Sequence, residues 1–190
     1  MIQSDPLSSG EYRPLPADAL RILQQVSAPP RLLAHLILVH DAACTLIDRI
    51  SAEFPAAHLN PDLVLFGAAV HDIGKTVHPE ELTQSGEHKH QRAGLELLQS
   101  LGIPNERARF AWTHGNWNGE QITLEDLIVA LADKSWKGKR VDELETRTAE
   151  FLSIVTGRTP CDCYARLDEI LQELSQHADK KLAWQANFTI

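Results

Sequence analysis

Cysteine is scarce: three in 190 residues, an odd number and too few for a disulfide framework. Cys161 and Cys163 stand two apart, and no second cysteine pair exists to complete a zinc ribbon. A reduced, cytoplasmic setting is the expectation. Positive charge is also in short supply. The 18 Lys and Arg are outnumbered by 26 Asp and Glu, leaving a net charge of −8, which argues against a grip on long nucleic acid by bulk electrostatics. Long apolar runs are missing too. Leu36 to Val39, with Leu32 and Leu33 just before, falls far short of the roughly 20 residues that span a bilayer, so no membrane contact is expected. Residues 1–16 are polar, carry Pro6, Pro14 and Pro16, and lack the basic-then-apolar pattern of a signal peptide; they read as a loose N-terminal arm. No strand pair and no internal repeat stands out. With 43% hydrophobic and 23% charged residues, the composition is that of a globular domain, not of a disordered tail or a fibre.

What is abundant is helical spacing. Leu20, Ile22 and Leu23 mark a first helix over residues 17–26, ended by Pro29 and Pro30. Over residues 31–54, Leu32, Leu36, Val39, Ala43, Leu46, Ile47 and Ile50 fall on one stripe. Asn60 then Pro61 reads as a helix start, Asn as the cap and Pro in the first turn. The helix that follows, residues 62–73, is apolar all round, the mark of a segment buried mid-domain, with Gly74 as its stop. A loop over 75–86 leads to helices over 87–101 and 105–114. Another helix follows Thr123, with Asp126 as a capping partner, and two further stripes run through Val141–Val155 and Leu167–Leu174. The expected fold is all-α: an arm (1–16), a helical domain (17–140), and C-terminal helices (141–190) folded as a hairpin onto the same domain.

Chemistry enters at His71–Asp72, which closes the apolar helix. Two adjacent polar side chains in such a place need a partner. Taken alone they would pair with each other. Their neighbours argue for more. His35 lies on the apolar stripe between Leu32 and Val39, Lys75 follows Asp72 by three, and His90, His114 and Asp133 each sit among apolar helical neighbours. Four imidazoles and two carboxylates, all facing inward, form a donor set for divalent manganese, iron, cobalt, nickel, zinc or magnesium. The absence of cysteine among them argues against structural zinc.

In Arg31-x3-His35-x3-Val39-x3-Ala43, His71-Asp72-Ile73-Gly74-Lys75, His90-x3-Gly94, His114 and Ala132-Asp133-Lys134, the chain resembles the HD superfamily of metal-dependent phosphohydrolases from Arg31 to about Arg140. The resemblance implies that His35, His71, Asp72 and Asp133 ligate one metal. Two-metal members add two histidines, which correspond here to His90 and His114, with Asp72 bridging. Gly94 selects His90 over His88, and Val39 with Ala43 selects His35 over His40. His40, His58, His78, His88 and His177 are left as surface or supporting residues.

Such a pair of ions implies a metal-activated hydroxide attacking phosphorus, so the implied activity is hydrolysis of a phosphoester or phosphoanhydride in a nucleotide-like small molecule. Asp72 and Lys75 would be catalytic, Lys75 binding a phosphate oxygen. The basic run Lys134, Lys137, Lys139 and Arg140 is as consistent with a solvated helix end as with phosphate recognition. On the second reading Lys134, Lys137 and Arg140 join Lys75 in binding substrate, and Trp136 stacks on a base. Trp112 and Trp117 flank His114 and read first as core packing, with walling the pocket as the second reading. After His114 the chain has Gly115-Asn116-Trp117 where one cyclic-dinucleotide branch has Gly-Tyr-Pro, which argues against that substrate. Two alternatives stand: a dinuclear iron oxygenase of the same superfamily, and a non-catalytic nucleotide-sensing module. The two C-terminal stripes can pack internally or against a second copy as a homodimer.

Overall fold

A computed structural model describes residues 5–8, 10–83 and 88–190. The helices are α1 (Ala17–Gln25), α2 (Pro30–Glu53), α3 (Pro61–Val70), α4 (Lys89–Ser100), α5 (Asn105–Ala108), α6 (Phe110–Thr113), α7 (Leu124–Ser135), α8 (Asp142–Thr156), α9 (Pro160–Ser175) and α10 (Ala178–Ala186), and no strand occurs among the described residues. The fold is all-α. Gly86 and Glu87, expected at a loop end and a helix start, lie outside the described residues.

Helix α2 is the axis. It packs against α3, α7, α9 and α10, and all its residues from Ala34 to His40 are buried. By length and composition it could cross a membrane, which its short apolar runs do not suggest; 67% of its most apolar stretch is buried inside the fold. It is the core helix. Helix α3 starts as expected, with the Asn60 side chain accepting from the Leu63 N–H at 3.3 Å and Pro61 in the first turn. Asp126 is fully buried. It accepts from the Thr123 N–H (3.0 Å), the Thr113 hydroxyl (2.7 Å) and the Arg109 Nε–H (3.0 Å), so the expected cap of α7 also ties down α6.

Two expectations need correction, and a third is met with an addition. Gly74 does not end α3, which stops at Val70; it lies in a tight 3-10 turn (Ile73–Thr76) resting on α4. A Cβ there would stand 1.9 Å from the His90 carbonyl oxygen and 2.6 Å from the Gly94 nitrogen, so glycine is required for close approach. The N-terminal segment, where described, is not loose. Pro6 and Leu15 are buried, Tyr12 packs edge-on to Trp184 at 4.7 Å, and Arg13 donates to the Asp41 carbonyl and Thr45 hydroxyl of α2. The C-terminal region forms the expected hairpin, α8 against α9, and adds a further helix, α10. Its end is tied to the start of α2: the Arg31 N–H donates to the Thr189 carbonyl (2.8 Å) and Arg31 Nη1 to the Gln185 carbonyl (2.9 Å).

Candidate metal centre

Helix α3 ends at Val70, and the turn that follows carries His71 and Asp72 to side chains from α2, α4, α7 and the end of α6. Because Gly74 and Gly94 lack side chains, the turn lies directly on α4, bringing Asp72 to His90. The result is two neighbouring groups of three buried ligands: His35, His71 and Asp133, and Asp72, His90 and His114. Within each group the donor atoms lie inside 4.8 Å of one another.

Asp72 joins the two groups. Its Oδ2 is 3.1 Å from His35 Nε2 and 3.6 Å from His71 Nε2. Its Oδ1 is 3.1 Å from His90 Nε2 and 3.5 Å from His114 Nε2. Across the first group, Asp133 Oδ1 lies 3.6 Å from His35 Nε2 and 3.9 Å from His71 Nε2. One carboxylate thus presents a different oxygen to each group, an arrangement suited to a bridging ligand.

Three of the four imidazoles are oriented from behind. His71 Nδ1 is 2.9 Å from the Ala68 carbonyl, and His114 Nδ1 is 3.0 Å from the Phe110 carbonyl. A carbonyl only accepts, so each Nδ1 carries the proton and each Nε2 presents a lone pair to the centre. Burial holds both rings neutral, lowering His71 to about 4 and His114 to about 3. His90 Nδ1 bonds the Glu81 carboxylate. Burial pulls His90 down, yet its hydrogen bonds to Asp72 and Glu81 raise it on balance. Burial also opposes ionisation of the two aspartates. For Asp72 this is overcome by His71 and Lys75, for Asp133 by Lys134 and Lys137, and both carboxyls stay well below the usual range.

This donor set fits divalent cations. His71 and His114 turn neutral Nε2 lone pairs toward the Asp72 and Asp133 carboxylates and His35 Nε2, which lies 3.3 Å from His71 Nε2. Such donors are suited to share a divalent cation, and the anchored Nδ1 atoms are the outer-sphere bonds that metal-binding histidines need.

Glu81 escaped the sequence reading. It lies in the 3-10 turn Pro79–Leu82, off any periodic face, and accepts from the Lys89 N–H (3.0 Å) as well as from His90. A carboxylate behind a ligating histidine fixes its ring and raises its basicity. Glu81→Gln should therefore lower metal affinity at the second group by about 10–100-fold, read by competition with a chromogenic chelator. An unchanged affinity would reduce Glu81 to a helix-start residue.

The centre opens into a cavity of about 660 Å³ lined by Lys75, Trp112, Asn116, Trp117, Lys134 and Lys137 among others. Lys75 Nζ is 2.6 Å from Asp72 Oδ2, Lys137 Nζ is 3.2 Å from Asp133 Oδ1, and Lys134 bonds Asp133 Oδ2. Three ammonium groups therefore stand at the cavity floor.

Other expected substrate contacts stand apart from this cavity. Trp136 is 1% exposed, packs edge-on to His35 at 5.6 Å and has no hydrogen-bond partner for its Nε1 among the described residues; buried in this way, it has no face free for a base. Arg140 follows the turn at Gly138 and pairs with Glu145 (2.6 Å) and Asp168, pinning α8 to α9 outside the cavity. Trp112, expected in the core, is 41% exposed on the cavity wall. His40, expected at the surface or in a supporting place, is buried behind the centre beside Cys44, in a separate cavity shared with Arg13 and Arg107. His58, His88 and His177 are exposed and His78 is half-buried; of these His88 reaches the main cavity rim.

A search of curated proteins and a search of solved structures each return no match. A scan against protein-family models matches the HD domain over residues 21–135, more than half of the chain and the part that holds all six candidate metal-binding residues. HD domains bind divalent metals and are generally metal-dependent phosphohydrolases. By this match, and with both ligand groups in place, the chain belongs to the HD domain family.

Proposed function

We propose that the protein hydrolyses a phosphoester or phosphoanhydride bond in a nucleotide-like small molecule, using two divalent ions held by His35, His71 and Asp133 on one side and by His90 and His114 on the other, with Asp72 between. The observation that carries this reading is the division of the Asp72 oxygens between the two ligand groups. When bound, such ions supply Lewis acidity toward phosphoryl oxygens and lower the pKa of water from ~15.7 toward ~7.

The protein's own groups account for the rest. Phosphate resists attack largely through its charge, and Lys75, Lys134 and Lys137 place ammonium groups on the cavity lining, where they neutralise Asp72 and Asp133 and stand within reach of a phosphoryl oxygen. Glu81 fixes the His90 ring, and the Ala68 and Phe110 carbonyls fix His71 and His114, so the centre needs little reorganisation. The cavity volume is in the range of sites for small organic ligands. Trp112, with its exposed ring, takes the base-stacking role first assigned to Trp136.

The test is phosphate release from p-nitrophenyl phosphate and a nucleotide panel, with manganese, magnesium, iron, cobalt, nickel or zinc supplied in turn. Turnover that needs an added ion and is stopped by a chelator is expected. Oxygen consumption by the iron-loaded protein without phosphate release would replace this reading with the oxygenase. Tight nucleotide binding with no turnover under any ion would replace it with a sensor.

A further inference from the structure

Next to the metal centre lies a second, smaller cleft of about 180 Å³ between the start of α2, the turn after Asp72 and α10. It shares His35, Lys75 and Lys137 with the main cavity, so the two spaces meet at the same side chains. Its volume is below the range that holds a whole small-molecule ligand, which suits it to one part of a substrate seated mainly next door.

Its charge is one-sided. Arg31, Lys75 and Lys137 line it, and no carboxylate does among the described residues. In a chain of net charge −8 this is a marked local reversal. Arg31 differs from the other cations near the centre. Lys75, Lys134, Lys137 and Arg140 each contact a carboxylate. The guanidinium of Arg31 instead gives Nη1 to the Gln185 carbonyl (2.9 Å) and forms no ion pair among the described residues. A half-buried arginine with one donor fixed by a backbone carbonyl keeps the rest of its planar fork for an oxyanion, a geometry matched to phosphate. The opposite wall, Leu182 and Gln185, comes from α10, beyond the matched residues 21–135. The cleft thus joins cations of the matched core, Arg31 and Lys75, to a wall from α10 that lies outside it.

We propose that this cleft binds a second phosphoryl group of the substrate, with Arg31 as its specificity-determining residue, so that the protein prefers a phosphate chain (a nucleoside polyphosphate or similar anhydride) over a monophosphate. The inference rests on the hydrolase reading for which bond is cleaved, but the anion preference can be measured without turnover.

The experiment is calorimetric titration of the protein as purified, with magnesium in excess over ligand, using inorganic tripolyphosphate and inorganic phosphate as probes. Tripolyphosphate should bind at least about tenfold more tightly than phosphate. Arg31→Gln should cost the longer anion about tenfold and the shorter one roughly twofold or less, the loss expected for a charge-assisted hydrogen bond. Arg31 also anchors α10, so Gln185→Glu serves as a second variant. It is isosteric, leaves the backbone carbonyl in place, and should weaken tripolyphosphate several-fold by placing a carboxylate in the cleft. Equal affinity for the two anions, or equal losses for both, would overturn the proposal. Phosphate release from nucleotides together with such equality would sink this inference alone. The expected anion preference with no turnover under any metal would sink the hydrolase reading alone.

Discussion

Replacing Asp72 by alanine should empty both ligand groups and abolish turnover, an effect larger than that of any histidine variant. The reason is geometric. Each Asp72 oxygen faces a different group, Oδ2 at 3.1 Å from His35 Nε2 and Oδ1 at 3.1 Å from His90 Nε2. His90→Ala removes a donor from the second group only, and should leave the protein with about one metal equivalent where the wild type holds about two. Asp72→Ala removes a donor from both and should leave almost none. Turnover should fall by on the order of 10³-fold or more, since the several kcal/mol of charge stabilisation lost corresponds to at least that factor. Asp72→Asn separates charge from shape. Its amide can offer one oxygen to one group but turns an NH₂ toward histidine nitrogens in the other, so metal content should lie between those of the wild type and Asp72→Ala. Lys75, left without its carboxylate, is on the cavity wall and can turn to water, so the fold should survive, as a far-ultraviolet dichroism spectrum would verify. Elemental analysis decides the matter. Equal metal content in Asp72→Ala and His90→Ala, or undiminished phosphate release by Asp72→Ala, would mean that Asp72 does not bridge.

The pattern of buried ligands was legible because each ligand interrupts an apolar helical face. His35, His90 and Asp133 are polar residues at positions whose helical neighbours are apolar, and all three are buried. Asn60–Pro61 was legible for the same kind of reason, since a cap acts within one turn of chain. What was misread depends on direction or on distant contacts. Trp136 sits among lysines in sequence, but it follows Asp133 by three and so shares that residue's inward face. Helical phase carried the answer that charge composition obscured. Arg140 lies past the end of α7, where the turn at Gly138 redirects the chain, so the phase of α7 no longer says where it points. Glu81 sits in a 3-10 turn with no periodic face, and nothing local marks it as the partner of His90. Helix α10 has little apolar stripe of its own. It is held by Tyr12 against Trp184 and by Arg31 on Gln185, contacts that join opposite ends of the chain.

Removing metal should lower thermal stability more than any single substitution outside the centre. The fold buries two carboxylates and four imidazoles side by side at the base of an open cavity, with Asp72 and Asp133 balanced by lysines. An ion bound by these groups binds the folded chain and finds no assembled site in the unfolded one, because the six ligands are spread from residue 35 to residue 133. At a free ion concentration 100 times the dissociation constant, each site adds about 2.7 kcal/mol. Two such sites filled together in a chain of this size should then raise the melting temperature by on the order of 10–20 °C over chelator-treated protein. His90→Ala should keep roughly half of that rise, since it spares the first group, and Asp72→Ala should lose nearly all of it. Arg31→Gln, outside both ligand groups, should retain the full metal-dependent rise whatever its own baseline. Differential scanning fluorimetry across a metal titration reads all four proteins at once. A melting temperature indifferent to both chelator and added ions would show that the converging imidazoles hold no metal, and the chemistry built on them would fall with it.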